Sequence, residues 1–484
     1  MPLVVSNDEY RATKQSIRNL RIKIDLLNFA FQTVDSLEGE AISGNITIDA
    51  NADIRRTCTI EMVVTDSTFE VNPGSKIWSD KYIQVYAGID NLITGETNWT
   101  NMGIYLINNP TRVYDTSTNT LSFQALDLMS KLTGIRNGYI EGVPTIIPVG
   151  SSIRDSMISV ITQLGGFTKY VIEDNPQTVP IEIKVERSAT VYDLLVKLRD
   201  ISPNYEIFFD VNGVFHYQLI PSGKSDPILI DNDIWDSVVT QVETTTEFDQ
   251  VKNVIEVWGH SHEPSVYVEN VTASGSTYSG TAVGLTTLPE YAVIGFVPPS
   301  IISNPKLKIN NLDEKPILNE DGSAAVIPKA DGTYYCVQVN KGGNSFLFLG
   351  TQQIYATISE TNPDSPFYIN GSVGKIRYIC TGGEYENIWT NDLALQRAEY
   401  ELYLHARIMD TVTLNSLPVY WLDVNIKTEY VNEKVGLINQ KWNAQTQSYD
   451  LPSHYIIKNV SMGLGHGDSM SVTMSRFYPL YPFW

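Results

Sequence analysis

The chain has 484 residues, room for about three domains of ordinary size, and 18% charged with 42% hydrophobic residues mark a folded chain rather than a disordered one. Its 34 Lys and Arg against 55 Asp and Glu give a formal net charge of −21, which argues against a protein that grips nucleic acid by its phosphates, though not against one past which DNA slides. Twenty-seven Tyr and eight Trp tilt the composition toward β-sheet.

At the start, Ser6 and Glu9 have capping-box spacing, and the stretch from Glu9 to Asn19 tolerates a helix. No basic, apolar leader precedes it and no apolar run approaches the ~18–20 residues that span a bilayer, so a chain made in the cytosol without a membrane anchor is expected. From Ile22 to about Gly134 the pattern is period two. Cys58, Ile60 and Met62 alternate with Thr59 and Glu61; Ile83, Val85 and Ala87 alternate with Gln84 and Tyr86; Leu121, Phe123 and Ala125 alternate with Ser122 and Gln124. Turn clusters at 71–75, 91–98 and 114–119 separate these runs, as in a sandwich or small barrel.

Residues 138–230 follow different rules. Ser152 with Asp155 caps a helix whose Ile153, Met157, Val160, Ile161 and Leu164 share one face, and Gly165-Gly166 ends it. Thr190 with Asp193 caps a second, which turns Val191, Leu194, Leu195, Leu198 and Ile201 inward and stops before Pro203. A hairpin then runs from Tyr205 to Leu219, with Asn212-Gly213 read as a tight turn of positive φ. This is a compact α+β module.

Strands return at Ser237–Glu243 and Lys252–Trp258. The stretch 263–362, rich in Gly, Ser, Thr, Asn and Pro, reads as an inserted small β-domain with strands near Tyr334–Val339 and Ser345–Leu349, because structureless loops of such length are rare. Thr390 and Asp392 begin a helix with Leu395, Ala398, Leu402 and Ala406 as its buried stripe, and strands follow at Thr411–Leu414, Leu422–Tyr430, His454–Ser461 and Met470–Ser475. The run Tyr105–Asn109, a turn, and the alternation Leu121, Phe123, Ala125 are echoed by Tyr455–Asn459, a turn, and Met470, Val472, Met474. The echo suggests one β-domain carried twice, its second copy split by the insertion.

Chemistry-bearing motifs are sparse. There is no G-x-S-x-G, H-E-x-x-H, Walker loop or Rossmann glycine fingerprint. His260 and His262 would face one side of a strand, but no further ligands accompany them, and they read as exposed histidines at a domain junction. Cys58, Cys336 and Cys380 are too scattered for a disulfide framework or metal knuckle and read as buried thiols. Asp364, Glu384 and Glu386 read as solvated surface rather than an acid/base pair. No catalytic, cofactor-binding or metal-binding residue is assigned, and no cofactor is expected. The aromatic ending Phe477–Trp484 has too much apolar area to leave in water and is expected to cover its own domain or a partner.

The order of the pieces resembles a known family. Arg56–Glu61 (RTCTIE), Lys81–Tyr86 (KYIQVY), Trp99–Ile107 (WTNMGIYLI) and Leu121–Met129 (LSFQALDLM) are similar to the opening domain of bacteriophage tail baseplate hub proteins, the trimeric hubs of contractile-tailed phages and related injection devices. Thr190–Leu195 (TVYDLL) and Tyr205–Phe215 (YEIFFDVNGVF) resemble the family's α+β domain. Phe248–Gly259 (FDQVKNVIEVWG), Leu393–Ala406 and Trp421–Asn425 (WLDVN) resemble parts of its second tube-like domain. The resemblance implies an α+β, mainly β fold: residues 1–137 an N-terminal arm and first tube-like β-barrel, 138–230 the α+β domain, 231–262 with 363–484 a discontinuous second tube-like β-barrel, and 263–362 the inserted small β-domain.

The implied function is structural rather than enzymatic. Three copies would form a ring of six barrels that joins the six-fold tail tube to the three-fold central spike and lines the DNA ejection channel. Partners would be the other two copies, the tail tube protein or a tube-initiating ring, the spike or tip protein, other baseplate proteins and the tape measure protein, with DNA only in passage. The place of action would be the tail baseplate of the virion, after assembly in the host bacterial cytoplasm. The hub of a non-contractile tail tip and a carbohydrate- or receptor-binding tip protein are the alternative readings; a wall-degrading hydrolase would need an acid/base pair that the sequence does not announce.

Overall fold

A computed structural model describes residues 7–13, 15, 19–38, 41–64, 69–114, 119–142, 145–185, 188–202, 205–220, 228–229, 242–417, 420, 422–429, 442–443, 448–449, 454–465 and 468–476. Helix α1 (Asn7–Thr13) ends earlier than its sequence suggests. Ala12 is buried in the core beneath it, and the Gln15 side chain, which donates to the Asp90 carbonyl and accepts from Leu92 N–H, ties this segment to a neighbouring turn. Ser6, half of the expected capping box, lies outside the described residues.

Alternation then produces β1 (Leu20–Leu27), β2 (Thr33–Glu38), β3 (Ala41–Asp49), β4 (Arg56–Val63), β5 (Tyr82–Asp90), β6 (Thr97–Tyr114) and β7 (Asn119–Leu126). Cys58, Ile60 and Met62 are buried while Thr59 and Glu61 are exposed, so the pleat sorts the two faces as the pattern predicts.

The α+β module contains β8 (Ile146–Ile147), α2 (Ile153–Ser159), β9 (Tyr170–Ile172), β10 (Ile183–Lys184), α3 (Val191–Arg199), β11 (Tyr205–Phe209) and β12 (Phe215–Leu219). Ser152 caps α2 by accepting from Asp155 N–H at 3.2 Å, and Thr190 with Asp193 forms a complete capping box on α3. Two expectations are corrected. Residues Val160–Leu164 form a π turn, in which Gly165 N–H reaches back to the Val160 carbonyl, and the extra residue per turn rotates Leu164 outward to 40% exposure. The turn between β11 and β12 is longer than two residues: the Asp210 carboxylate accepts from Asn212 and Val214 N–H, and only Gly213 has positive φ.

The rest of the chain supplies β13 (Ile228–Leu229), β14 (Val242–Glu247) and β15 (Val254–Ser261) before the insertion. The insertion is a closed seven-stranded barrel made of β16 (Val266–Ser274), β17 (Thr277–Thr281), β18 (Val293–Phe296), β19 (Lys306–Ile309), β20 (Lys315–Leu318), β21 (Tyr335–Val339) and β22 (Phe346–Thr351), with a core of its own around Tyr278, Phe296, Val337 and Phe346. After it come β23 (Gln353–Ser359), β24 (Arg377–Cys380), α4 (Asn391–His405), β25 (Met409–Leu417), β26 (Lys427–Glu429), β27 (Trp442–Asn443), β28 (Ser448–Tyr449), β29 (His454–Gly463) and β30 (Met470–Arg476).

Helix α4 begins at Thr390 as expected but buries Ala394, Ala398 and Glu401 and leaves Leu395 exposed. Two alanines allow close approach to β15 and β23, and Arg397 neutralises Glu401, so the helix turns its small residues rather than its leucine toward the sheet. Among the described residues of the strand expected over Leu422–Tyr430, only Lys427–Glu429 are strand; Asn425 at φ +55° bends the buried segment before them. Residues 237–241 and 477–484 lie outside the described residues.

Strand order shows how the two β regions are related. In the first, β3-β4-β7-β6-β5 are neighbours in that order; in the second, β14-β25-β30-β29-β26 are. By position along the chain each is first, second, fifth, fourth, third, and every pair is antiparallel. The barrel and α4 fall between the first and second strands of the second unit. Both units belong to a single 13-stranded sheet over one core, to which Ile60, Phe123 and Tyr105 contribute from one side and Leu414, Val472 and Tyr455 from the other.

Candidate assembly interface

The groups that might have carried chemistry are occupied structurally. His262 is buried, not exposed as expected: its Nε2 lies 2.8 Å from the Trp389 carbonyl, which requires a donating Nε2–H, and burial lowers its pKa to about 4, so the ring stays neutral. His260 packs 5.1 Å away edge-on, and its backbone N–H donates to the Ile388 carbonyl. Glu384 pairs with Arg397 at 2.6 Å. The three thiols are buried and unpaired, and burial pushes Cys336 up to about 12 and Cys380 up to about 11, far from thiolate formation. Among the described residues no group of three or more His, Cys, Asp and Glu could hold a metal ion, and no helix is long and apolar enough to cross a membrane.

The sequence reading missed a buried ionic cluster where the two units meet the α+β module. Arg56, at the start of β4, donates through Nη2 to Asp423 at 2.5 Å and through Nη1 to the Phe209 carbonyl at 2.5 Å. Its neighbour Arg55 pairs with Glu206 and lies 4.1 Å over the Phe208 ring. Glu206 also accepts from Asn425 Nδ2 at 2.6 Å and Gln218 Nε2 at 3.0 Å. Asp127 accepts N–H bonds from Arg56 and Met129; burial nevertheless outweighs them and raises its carboxyl to about 6. Burial likewise lowers the Lys458 ammonium, despite the nearby Glu206 carboxylate. Charges this deep survive only when paired and hydrogen-bonded, and here the partners come from three parts of the chain. The cluster therefore pins the first unit, the α+β hairpin and the second unit in one relative position. The only signal in the sequence is the Arg55-Arg56 doublet leading into an apolar strand.

Beside the cluster the two units are stitched edge to edge. One edge of β29 is shared: β26 lies along His454–Ile456, and β3 takes over along Asn459–Gly463, with Val460 opposite Ile48, Ser461 opposite Thr47 and Met462 opposite Ile46. The Lys458 carbonyl accepts Ala50 N–H at 2.9 Å, and Leu464 N–H donates to the Gly44 carbonyl at 3.0 Å. The units also match in register. Ile107 opposes Ala125 and Arg112 opposes Leu121, as Ile457 opposes Met474 and Met462 opposes Met470, with one bulge in β6 near Asn108 and one in β29 near Lys458. The sequence echo is thus the trace of equivalent hairpins.

Comparison with known proteins follows the same line. A family model described as a domain of unknown function (DUF5048) matches residues 364–481. No curated protein matches the sequence. Two solved structures follow almost the whole chain: the 43 kDa tail protein of prophage MuSo2 from Shewanella oneidensis (11% identity, TM-score 0.50, 95% of this chain and 98% of that one) and the tail protein from Neisseria meningitidis MC58 (8% identity, TM-score 0.50, 94% of this chain and 96% of that one). The chain has a tail-protein fold. The family resemblance read from its motifs therefore holds at the level of fold, in a mainly β chain.

Proposed function

We propose that the chain is a structural tail hub: three copies close into a ring of six β units that joins the six-fold tail tube to the three-fold spike and surrounds the path of the ejected DNA. The observation that carries this reading is the repeated strand order, β3-β4-β7-β6-β5 and β14-β25-β30-β29-β26, with the units set side by side in one sheet. A duplicated unit lets a three-fold assembly present six near-equivalent positions, which is what an adaptor between six-fold and three-fold partners needs. The units 1–137 and 231–262 with 363–484 would build the ring, 138–230 would brace it, and the 263–362 barrel would stand outside it. Tail tube, spike, baseplate and tape measure proteins would be its partners in the virion. The excess of acidic residues suits a conduit, since a wall of the same sign as the phosphates repels DNA rather than holding it. Light scattering on the purified chain across a concentration series tests the ring: a species of three times 54.1 kDa is expected, and a single chain at every concentration would overturn the reading.

A further inference from the structure

We propose that the wall of the conduit is the face of the shared sheet turned away from its core, on β14, β25, β30 and β29 of the second unit and β3, β4 and β7 of the first, and that duplex DNA slides past its hydroxyl, amide and carboxylate side chains without being held. The inference rests on the ring reading and specifies which surface meets the DNA.

Matching registers allow the two units to be compared residue by residue. Cys58 opposes Ala125 as Val412 opposes Met474, and Ile46 opposes Cys58 as Thr244 opposes Val412, so β3 and β4 correspond to β14 and β25. By the hairpin register above, β7 corresponds to β30. On the core side the paired positions share only apolar character: Cys58 matches Val412, Ile60 matches Leu414, and Phe123 matches Val472. On the other face the residue itself is kept. Thr57 matches Thr411, Thr59 matches Thr413, Thr47 matches Thr245, and Ser122 matches Ser471. Acids also correspond there, Asp49 with Glu247. A core position has to be apolar and of suitable volume, and the two copies have drifted within that rule. The opposite face has no core to fill, yet it carries the same short hydroxyls twice, so something outside the fold holds it to that chemistry.

The face runs unbroken across the joint between the units. Ser471, Ser461, Thr47 and Thr57 stand opposite one another in turn from β30 to β4. Gly463, Asn45, Thr59 and Gln124 do so from β29 to β7, and Glu243, Thr413, Thr473, Asn459 and Asp49 from β14 to β3. Thr59, Gln124, Glu243 and Thr245 are exposed and the others partly so. None of these positions is basic or aromatic, whereas a grip on a duplex needs Lys and Arg at its phosphates. The polar groups also occupy one another: Ser461 Oγ donates to Asn45 Oδ1 at 3.1 Å, Asn45 Nδ2 donates to Thr47 Oγ1 at 2.9 Å, and the Thr413 and Thr473 hydroxyls lie 3.2 Å apart. The wall on β1 and β5 of the first unit is different. It carries Arg21 paired with Asp90 at 2.8 Å and Lys23 4.6 Å over the Tyr86 ring, the mixed chemistry of an ordinary outer surface. A closed ring has one surface to which every unit presents the same face toward the axis, and the cation-free face suits the passage of a polyanion.

The test is the full chain in its three-chain form carrying Thr59→Cys, Thr413→Cys or Val283→Cys, the last at a barrel position that is 98% exposed. The native thiols are buried and leave the introduced one to react. Each variant is offered a small soluble maleimide and a maleimide tethered to an agarose bead, which cannot enter a bore. The small reagent should label all three, and the bead should capture Val283→Cys but neither of the others. Capture of Thr59→Cys and Thr413→Cys as readily as Val283→Cys, or failure of the small reagent at both, overturns this wall and leaves the ring standing; a single chain at every concentration overturns both. A second measurement reads the chemistry. The three-chain species with Thr59→Lys and Thr413→Lys together should retain a short DNA duplex in a gel shift that salt abolishes, and the native species should not. Retention by the native species would overturn the non-gripping wall.

Discussion

Asp127 shows how the cluster couples to pH. Its carboxyl is held at about 6, above the ordinary carboxylate range, because burial outweighs the N–H bonds from Arg56 and Met129. A raised acid favours its protonated form in the fold, so its stabilisation is complete below the unfolded value near 4 and is lost as pH climbs through 6. Asp127→Asn has no proton to exchange. The gap in unfolding free energy between the two proteins should therefore shift by about 1–2 kcal/mol between pH 5 and pH 7.5, the native chain gaining on the acid side. Urea melts of both at the two pH values check this, and parallel pH profiles would contradict it. The neighbouring pair Arg56–Asp423 is buried as well, and Asp423→Asn, which breaks a buried ion pair, should cost about 3–5 kcal/mol in the same urea melts.

At the scale of elements, helix α4 separates what periodicity reveals from what it hides. Its start was legible because Thr390 accepts from Leu393 N–H, a local signal. Its buried face was not, because Ala394 and Ala398 against Ile255, Val257 and Ile354 beat Leu395 only in the presence of the sheet. Ala398→Leu should then cost about 1–3 kcal/mol by overpacking, while Leu395→Ala on the open face should change stability by less than about 0.5 kcal/mol; thermal melts of the two variants make the comparison. The same division runs through the chain. Strand alternation at Cys58, Ile60 and Met62 and the caps at Ser152 and Thr190 depend on neighbours in sequence and were readable. The Arg56–Asp423 pair joins residues hundreds of positions apart, and the π turn that swings Leu164 outward leaves no mark in composition. The hairpin echo was readable because both copies kept the same spacing, yet the order of the strands around it had to come from hydrogen bonding.

For the whole molecule, the proposed ring has to tolerate a barrel set into one of its repeats. The barrel leaves and rejoins the chain at a single point: His262 N–H donates to the Gln352 carbonyl at 2.8 Å, and Ser261 faces Gln353 across β15 and β23. Its interior, around Tyr278, Phe296, Val337 and Phe346, is separate from the core shared by the two units, and a patch with Val293, Cys336, Leu347, Leu349 and Trp389 joins it to the α+β module. Replacement of residues 263–351 by Asn-Gly would turn β15 and β23 into an ordinary two-residue hairpin, for which that dipeptide supplies the required backbone twist. The shortened chain should keep the buried Arg56 cluster and the sheet shared by the two units, whose strands lie outside the excised segment. It should therefore still assemble in threes, with a mass lower by three barrels in light scattering. A shortened chain that folds, as judged by a cooperative melt, but stays single would place the barrel among the contacts that close the ring.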